Sequence, residues 1–168
     1  MNILKAFLLA AMPFSMYAQK VELKVADNFV ELAAEQTQSE LKPGWIILDV
    51  KMKDKLVHYL TGGHATQLTD DNMPQFHIVP GKDELLNDYA LIRLLNKKNY
   101  RKLPKSEVRE NNYKRVEPAD FNIKSDGDNG FLCYPTEALV AGEYILLNIS
   151  QHPIGNLKDL KVYPFRVP

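Results

Sequence analysis

The sequence holds four histidines, the side chains best suited to bind a metal ion or to transfer protons near neutral pH: His58, His64, His77 and His152. No pair of them stands at the spacing of a zinc motif, and no cysteine lies beside them. A metal centre would need the fold to bring these side chains together. The sequence therefore predicts no metal-ligating residues and no cofactor.

A second group of candidate ligands is acidic and lies in a turn. Asp126, Asp128 and Glu137 have roughly the order of a calcium loop, but Gly130 and Phe131 occupy positions where an EF-hand needs a ligand and a glycine. The EF-hand interpretation fails. A simpler calcium contact by Asp126 and Asp128 stays open, because Asp and Gly are also the residues that a hairpin turn requires.

Residues for nucleophilic catalysis are missing from the sequence pattern. There is no Gly-x-Ser-x-Gly elbow, phosphate loop or dinucleotide fingerprint. The only cysteine, Cys133, lies in the apolar stretch Phe131–Tyr134, where a buried and inert thiol is expected. The sequence predicts no catalytic residue, although paired carboxylates of a glycoside hydrolase cannot be recognised from spacing alone.

One segment has a local excess of positive charge. It begins with Lys97, Lys98, Arg101, Lys102 and Lys105. These side chains could bind an anionic partner, which we expect to be an envelope protein or a polysaccharide; the alternative is a solvated hairpin tip. Nucleic acid is not expected, since the formal net charge is +0 and few aromatic residues interrupt the basic run.

The N-terminus has the pattern of a signal peptide over residues 1–18. Lys5 precedes an apolar run from Ala6 to Met16, and Ala18 is a small residue at the expected cleavage site, although Met16 is larger than that site prefers. We expect export to the periplasm or beyond, with no transmembrane anchor. Residues 19–168 then form a single domain that needs no disulfide, because the sequence has one cysteine.

The stretch Leu139–Ile149 predicts the central element of that domain. Its alternating side chains are apolar on nearly every position, which is typical of a buried strand. Leu139, Gly142 and Tyr144 have the spacing of a tyrosine corner, a structural element of Greek-key sandwiches. We therefore expect Tyr144 to be buried, with its hydroxyl bonded to the backbone near Val140.

Short strand patterns recur along the rest of the chain. Alternation at residues 20–25 predicts an edge strand or a strand with one buried face, and residues 74–80 predict a strand bounded by prolines. Residues 45–50 and 56–60 are expected to form one hairpin, and residues 120–134 a second. Residues 157–167 predict a terminal edge strand that tolerates Pro164.

Residues 84–103 are ambiguous. Leu85, Tyr89 and Ile92 share a helical face, whereas strands at residues 90–95 and 100–103 around a polar loop would form a hairpin, which we favour. In total the patterns predict a mainly all-β fold: one immunoglobulin-like or related Greek-key β-sandwich of about eight strands, with at most one short helix.

Three groups of residues together indicate a family resemblance. These are Pro74-x-Phe76-x-Ile78, the stretch Leu91 to Arg101, and Phe131 to Leu146 with its Gly-Glu-Tyr element. Over residues 74–148 the chain resembles small exported bacterial β-sandwich proteins of uncharacterised function, although Ala141 replaces the proline usual before Gly-Glu-Tyr. The resemblance implies a fold rather than an activity.

Two hypotheses about function follow from these patterns. The first is an exported, non-enzymatic binding or structural module of the bacterial cell envelope. The alternative is an envelope hydrolase acting on glycan, with a site that only the fold assembles.

Overall fold

The structure is a computed structural model of the chain, and it describes residues 19–42, 46–47, 50–51, 55–81, 84–85, 89–103, 121–127, 130–148 and 160–168. The predicted signal peptide, Lys105, Asp128 and His152 lie outside the described residues. The described strands are β1 (Lys20–Val25), β2 (Asn28–Glu31), β3 (Glu35–Gln36), β4 (Gln38–Lys42), β5 (Ile46–Ile47), β6 (Val50–Lys51), β7 (Lys55–Thr61), β8 (Phe76–Val79), β9 (Tyr89–Arg93), β10 (Leu95–Asn96), β11 (Tyr100–Lys102), β12 (Phe121–Ser125), β13 (Phe131–Pro135), β14 (Gly142–Asn148) and β15 (Lys161–Val167).

The fold is all-β. Thirteen of the described strands form three antiparallel sheets, and no helix occurs in the described part of the chain. Sheet A has the strand order β12-β13-β8-β1-β2, sheet B the order β3-β15-β14-β9, and sheet C the order β10-β11-β7-β4; β5 and β6 pair separately. The arrangement is a β-sandwich with more strands than the sequence patterns predict, in part because β3 and β10 have two residues each, too few to show a period. The immunoglobulin-like topology stays a prediction.

Alternating residues on β1 explain its place in sheet A. Val21 and Leu23 are buried, while the charged side chains between them point outward. β1 pairs with β2 on one side and with β8 on the other. It is therefore a strand with one buried face, and the alternative of an edge position is wrong.

Sheet B is the centre of the molecule because it is packed on both faces. Tyr144 and Leu146 point toward sheet A and join a core with Phe76 and Phe165, whose rings meet edge to face at 5.1 Å. Ile145 and its same-face neighbours point the other way, into a second core beneath sheet C. Burying one such side chain completely contributes about 1.5–3 kcal/mol, so the almost wholly apolar sequence of β14 has a direct energetic reason.

One chain segment joins sheet B to sheet C. β9 pairs with β14 in sheet B, and two residues later β10 pairs with β11 in sheet C. Between them the backbone N–H of Leu94 donates to the carbonyl of Glu143 at 2.8 Å, while the Leu94 side chain is buried. The favoured hairpin over residues 84–103 is confirmed only near its tip, where β10 pairs with β11; most of the first predicted strand lies in β9, which pairs with β14 instead. The N–H of Lys97 closes the turn by donating to the carbonyl of Tyr100 at 2.9 Å.

Other local predictions have mixed outcomes. The strand at residues 74–80 and the hairpin at residues 120–134 are confirmed as β8 and as the β12–β13 pair. The expected hairpin between residues 45–50 and 56–60 is wrong, since β7 pairs with β4 and β11, and β5 pairs with β6. Pairing partners depend on distant segments, which local turn residues do not specify.

Pro164 is tolerated in β15 because its nitrogen, which carries no hydrogen, faces away from β14. The N–H of Arg166, two residues on, donates to the carbonyl of Gln67 at 2.9 Å, on the side away from β14. Residues two apart in a strand direct their N–H groups to the same side, so the nitrogen of Pro164 also faces away from β14. No ladder hydrogen bond to β14 is lost, so the strand tolerates this proline as predicted. The predicted edge position is wrong, because β15 lies between β14 and β3.

Candidate binding surface

Arg101 does not lie on the protein surface, which corrects its assignment to the anionic-partner patch. Its side chain is 2% exposed. Side chains alternate along β11, so Arg101 points into the second core while Tyr100 and Lys102 point outward. Arg101 cannot contribute a charge to a solvent-facing patch.

The buried guanidinium of Arg101 joins two sheets. Its Nη2 donates to Oε2 of Glu35 in sheet B at 3.0 Å and to the carbonyl of Thr61 at 3.1 Å. Its Nε donates to the carbonyl of Gly62 at 3.3 Å, whereas Nη1 is buried without a hydrogen-bond partner in the described part of the chain. Arg101 therefore holds the β10–β11 hairpin against the end of β7 and against β3.

The outward side chains of sheet C form a row across its four strands. Lys102 lies opposite Tyr59 on β7 and Leu95 on β10, and Tyr59 lies opposite Gln38 on β4. Tyr100 lies beside the row, and its ring meets that of Tyr59 edge to face at 5.9 Å. Leu95 and Tyr100 are exposed, so this surface shows both aromatic rings and positive charge to solvent.

The tip of the β10–β11 hairpin extends this surface. Lys97 and Lys98 are exposed, while Lys102 is half-buried. The N–H of Gly62 donates to the carbonyl of Asn99 at 3.0 Å. We name the set Tyr59, Leu95, Lys97, Lys98, Tyr100 and Lys102 the sheet C face.

A glycine sets how closely the loop after β7 approaches the hairpin tip. A Cβ at Gly63 would lie 2.9 Å from the carbonyl oxygen of Lys98, closer than side chains tolerate. The residue after Gly63 is His64. The loop thus carries His64 to the side of the lysine-bearing tip.

Glu143 fixes the position of His64. This carboxylate is only 2% exposed, yet it accepts hydrogen bonds from Nδ1 of His64 at 2.9 Å and from the N–H of Ala65 at 2.8 Å. Nε of Arg166 lies 3.9 Å away. Sequence analysis missed this cluster, because His64 and Glu143 lie 79 positions apart and the Gly-Glu-Tyr element suggests only a corner.

The tyrosine corner has the expected geometry. Tyr144 is buried, and its hydroxyl donates to the carbonyl of Val140 at 2.7 Å. The N–H of Leu139 donates to the carbonyl of Asn72 at 2.7 Å. Gly142 lies beneath the side chain of Arg93, whose Nη2 donates to the carbonyl of Ala141 at 2.9 Å. Leu139, Gly142 and Tyr144 therefore fix the position of the loop that precedes β14.

The remaining described histidines do not converge on a shared ligand. His58 is buried near the hydroxyl of Thr37, at 3.5 Å. His77 on β8 has Nδ1 2.9 Å from Glu22 and Nε2 3.7 Å from Asp126. The side-chain hydrogen bond from Lys20 lowers the pKa of Glu22, against the effect of partial burial, and His77 adds to that lowering.

The described acidic side chains and the thiol of Cys133 do not come together as metal ligands. Among the residues that the structure describes, no group of three or more His, Cys, Asp or Glu side chains could hold a metal ion. Asp126 and Glu137 are exposed, and Cys133 is buried, which raises the pKa of its thiol to about 11. Such a thiol is mostly protonated at neutral pH and is a poor nucleophile.

Within the described ranges, no helix is long and apolar enough to cross a bilayer. No protein-family model matches the chain, and the comparisons with curated proteins and with solved structures give no match either.

Proposed function

We propose that the protein is an exported, non-enzymatic binding module of the bacterial cell envelope, and that the sheet C face holds an acidic polysaccharide. The observation that supports this most directly is the position of Tyr100 and Lys102 on one face of β11, next to the lysine-bearing hairpin tip. Tyrosine rings offer flat apolar surface with a polar edge, which suits the faces of sugar rings. The lysines supply the complementary charge for carboxylate groups.

A rigid support beneath this face favours binding. Arg101 holds the hairpin from below through its bonds to Glu35 and to two carbonyls. A face that is already in place loses little conformational entropy when a ligand binds. The buried charge of Arg101 thus positions backbone, while Lys97 and Lys98 present their charges to solvent.

The experiment measures retention of the mature protein on immobilised polygalacturonate, with neutral dextran as the comparison matrix. We expect retention on polygalacturonate alone, weakening as salt is added. The double reversal Lys97→Glu with Lys98→Glu should lower affinity by about tenfold at low salt. Tyr100→Ala should lower affinity at every salt concentration, because stacking is not screened.

The matched control reverses two lysines on sheet A, Lys24→Glu with Lys124→Glu, and so gives the same net charge. It should leave retention unchanged. Equal loss in both double variants would mean that only total charge matters, which contradicts a defined face. Release of soluble oligosaccharides from the matrix would instead favour the glycan hydrolase, and retention on polyglutamate but not on polygalacturonate would favour a protein partner.

A further inference from the structure

We infer that Gln19 is the first residue of the exported protein and that the fold keeps its side chain as an open glutamine, protected from cyclisation to pyroglutamate. The inference rests on the export part of the proposed function, because the predicted cleavage after Ala18 makes Gln19 N-terminal. It does not depend on the sheet C face. It is drawn from the two hydrogen bonds that hold the Gln19 carboxamide against sheet B.

An N-terminal glutamine can react with itself. The nitrogen of its free α-amine attacks Cδ of the side chain, so that a bond between this nitrogen and Cδ forms while the bond between Cδ and Nε2 breaks. Nε2 leaves as ammonia with a proton that comes from the α-amine, and no oxidant, reductant or second molecule is required. While Ala18 is attached, the nitrogen belongs to a peptide bond and is not nucleophilic. Removal of the signal peptide is therefore the step that makes Gln19 reactive.

Both polar atoms of the Gln19 carboxamide are bonded to sheet B. Nε2 donates to the hydroxyl oxygen of Tyr89 on β9 at 2.6 Å, and Oε1 accepts from Nζ of Lys161 on β15 at 3.1 Å. Gln19 itself directly precedes β1, a strand of sheet A. The carboxamide therefore connects the start of β1 to two strands of the other sheet.

The two partners admit one orientation of the carboxamide. The Tyr89 hydroxyl gives its single hydrogen to Oε2 of Glu84 at 2.7 Å, so its oxygen can only accept from Gln19. A lysine ammonium group has donors and no acceptor, so the atom that faces Lys161 must be the oxygen. The chemistry of the neighbours thus distinguishes Nε2 from Oε1.

The partners of the carboxamide are themselves held in place. Tyr89 is 5% exposed, and Glu84, which accepts its hydrogen, also accepts the N–H of Gly81 at 3.0 Å. Nζ of Lys161 lies 5.4 Å from the centroid of the buried Tyr163 ring. Groups fixed in this way cannot follow the carboxamide if it moves.

Ring closure is incompatible with these hydrogen bonds. The product is a five-membered lactam, in which Cδ is bonded to the backbone nitrogen of the same residue. Lys20, the next residue, pairs with Val79 of β8, so the side chain rather than the backbone has to move. Closure draws the carboxamide oxygen away from Lys161 and removes Nε2 from Tyr89. The folded protein therefore loses both hydrogen bonds before the reaction can proceed.

The test follows the mature protein, isolated from the periplasm of an expressing bacterium, by mass spectrometry of its N-terminal peptide. We expect this peptide to begin with unmodified Gln19. On incubation, conversion to pyroglutamate is measured as the loss of one ammonia. The reaction should be about tenfold slower in the folded protein than in protein unfolded in guanidinium chloride, because the unfolded chain makes neither hydrogen bond.

Two substitutions remove one hydrogen bond each. Tyr89→Phe lacks the acceptor for Nε2 and Lys161→Met lacks the donor to Oε1, so each folded variant should cyclise about threefold faster than the unsubstituted protein. In guanidinium chloride all three proteins should cyclise at the same rate. The matched controls are Tyr134→Phe on β13 and Lys124→Met on β12, which should leave both rates unchanged. Thermal unfolding of each variant verifies that it is folded.

The outcomes separate this inference from the binding face. A mature chain that begins at another residue, or one isolated with pyroglutamate at its N-terminus, overturns the inference. Equal rates in folded and unfolded protein overturn it too, and so does an equal acceleration in Tyr144→Phe, which loses a hydrogen bond elsewhere in the fold. None of these results bears on retention by polygalacturonate, and failure of that retention leaves the protection of Gln19 standing.

Discussion

Tyr144 places an aromatic ring in the core and uses its one polar atom to hold a loop. Its ring stacks on Phe165 at 5.7 Å, and its hydroxyl donates to the carbonyl of Val140 at 2.7 Å. Gly142 precedes Tyr144 by two residues, and because it has no side chain, the Arg93 guanidinium can lie close above the turn. Ring and hydroxyl thus stabilise different parts of the fold, and a substitution can separate the two.

Tyr144→Phe should lower the free energy of unfolding by about 1 kcal/mol, because it removes one hydrogen bond and leaves the Val140 carbonyl without that donor. Urea denaturation followed by circular dichroism measures the change. Tyr100→Phe is the control, since Tyr100 is exposed and should stay within about 0.5 kcal/mol of the unsubstituted protein. Unchanged stability of Tyr144→Phe would contradict a structural role for the corner, and so would an altered affinity for polygalacturonate.

At the scale of elements, the Arg101–Glu35 ion pair connects β11 to β3, two described strands that do not pair with each other. Arg101 lies on β11 of sheet C and Glu35 on β3 of sheet B. The two partners differ in their access to water: the arginine side chain is 2% exposed and the glutamate 32% exposed. Removing one or the other should therefore have unequal consequences.

Glu35→Leu should cost more stability than Arg101→Met. Without Glu35 the buried guanidinium loses its counter-ion, for which about 3 kcal/mol is expected, whereas Glu35 without Arg101 can be hydrated and should cost about half as much. Urea midpoints of the two single variants and of the double variant provide the measurement. Equal losses, or a larger loss for Arg101→Met, would show that packing of the arginine stem outweighs its charge.

A strand or turn can be predicted from the sequence when the residues that specify it lie within one short stretch. β8, the β12–β13 hairpin and the corner at Tyr144 each lie within a short stretch whose alternation, prolines and glycines specify them. The partners of β7 are not local, since β4 precedes it and β11 comes far later. Alternation predicts that Tyr100 and Lys102 lie on one face of β11 and Arg101 on the other. Which face is buried depends on the packing of sheet B against sheet C, which the local sequence does not specify.

The candidate site shows the same division. The lysines of the hairpin tip are visible as a charge run, and they lie on the surface. The His64–Glu143 contact is not visible in the sequence, because it joins a loop after β7 to a strand 79 positions later. A buried acidic residue on an otherwise apolar strand is the one signal that could have indicated it, since such a group needs a partner.

At the scale of the whole molecule, three buried tyrosines and one buried thiol span the core between sheets A and B. Burial raises the pKa of Tyr89, Tyr163 and Tyr144 above the ordinary value of 10.0, and that of Cys133 to about 11. Tyr89 also donates to Glu84 at 2.7 Å, and the proximity of that carboxylate opposes ionisation further. All four groups hold their protons more tightly in the folded state than in the unfolded chain.

The sign of the resulting pH dependence follows from linkage. A group whose pKa is raised by folding contributes stability that is fully present below its unfolded pKa and is lost as pH rises toward the folded value. We therefore expect the urea midpoint to be constant up to about pH 8, to begin to fall as the pH passes the ordinary value of a thiol at about 8.5, and to fall steeply above about pH 10. Cys133→Ala should make the decline shallower at its beginning, because the thiol is the first of the four to ionise in the unfolded chain.

Tyrosine absorbance provides the decisive measurement for this alkaline transition. Tyr89, Tyr144 and Tyr163 should ionise only as the circular dichroism of the sheets is lost, because their hydroxyls are buried in the folded protein. If every tyrosine ionised in a single step near the ordinary value while the sheets remained intact, the hydroxyls would have to be accessible to water. The core between sheets A and B would then be open at the positions where the structure closes it.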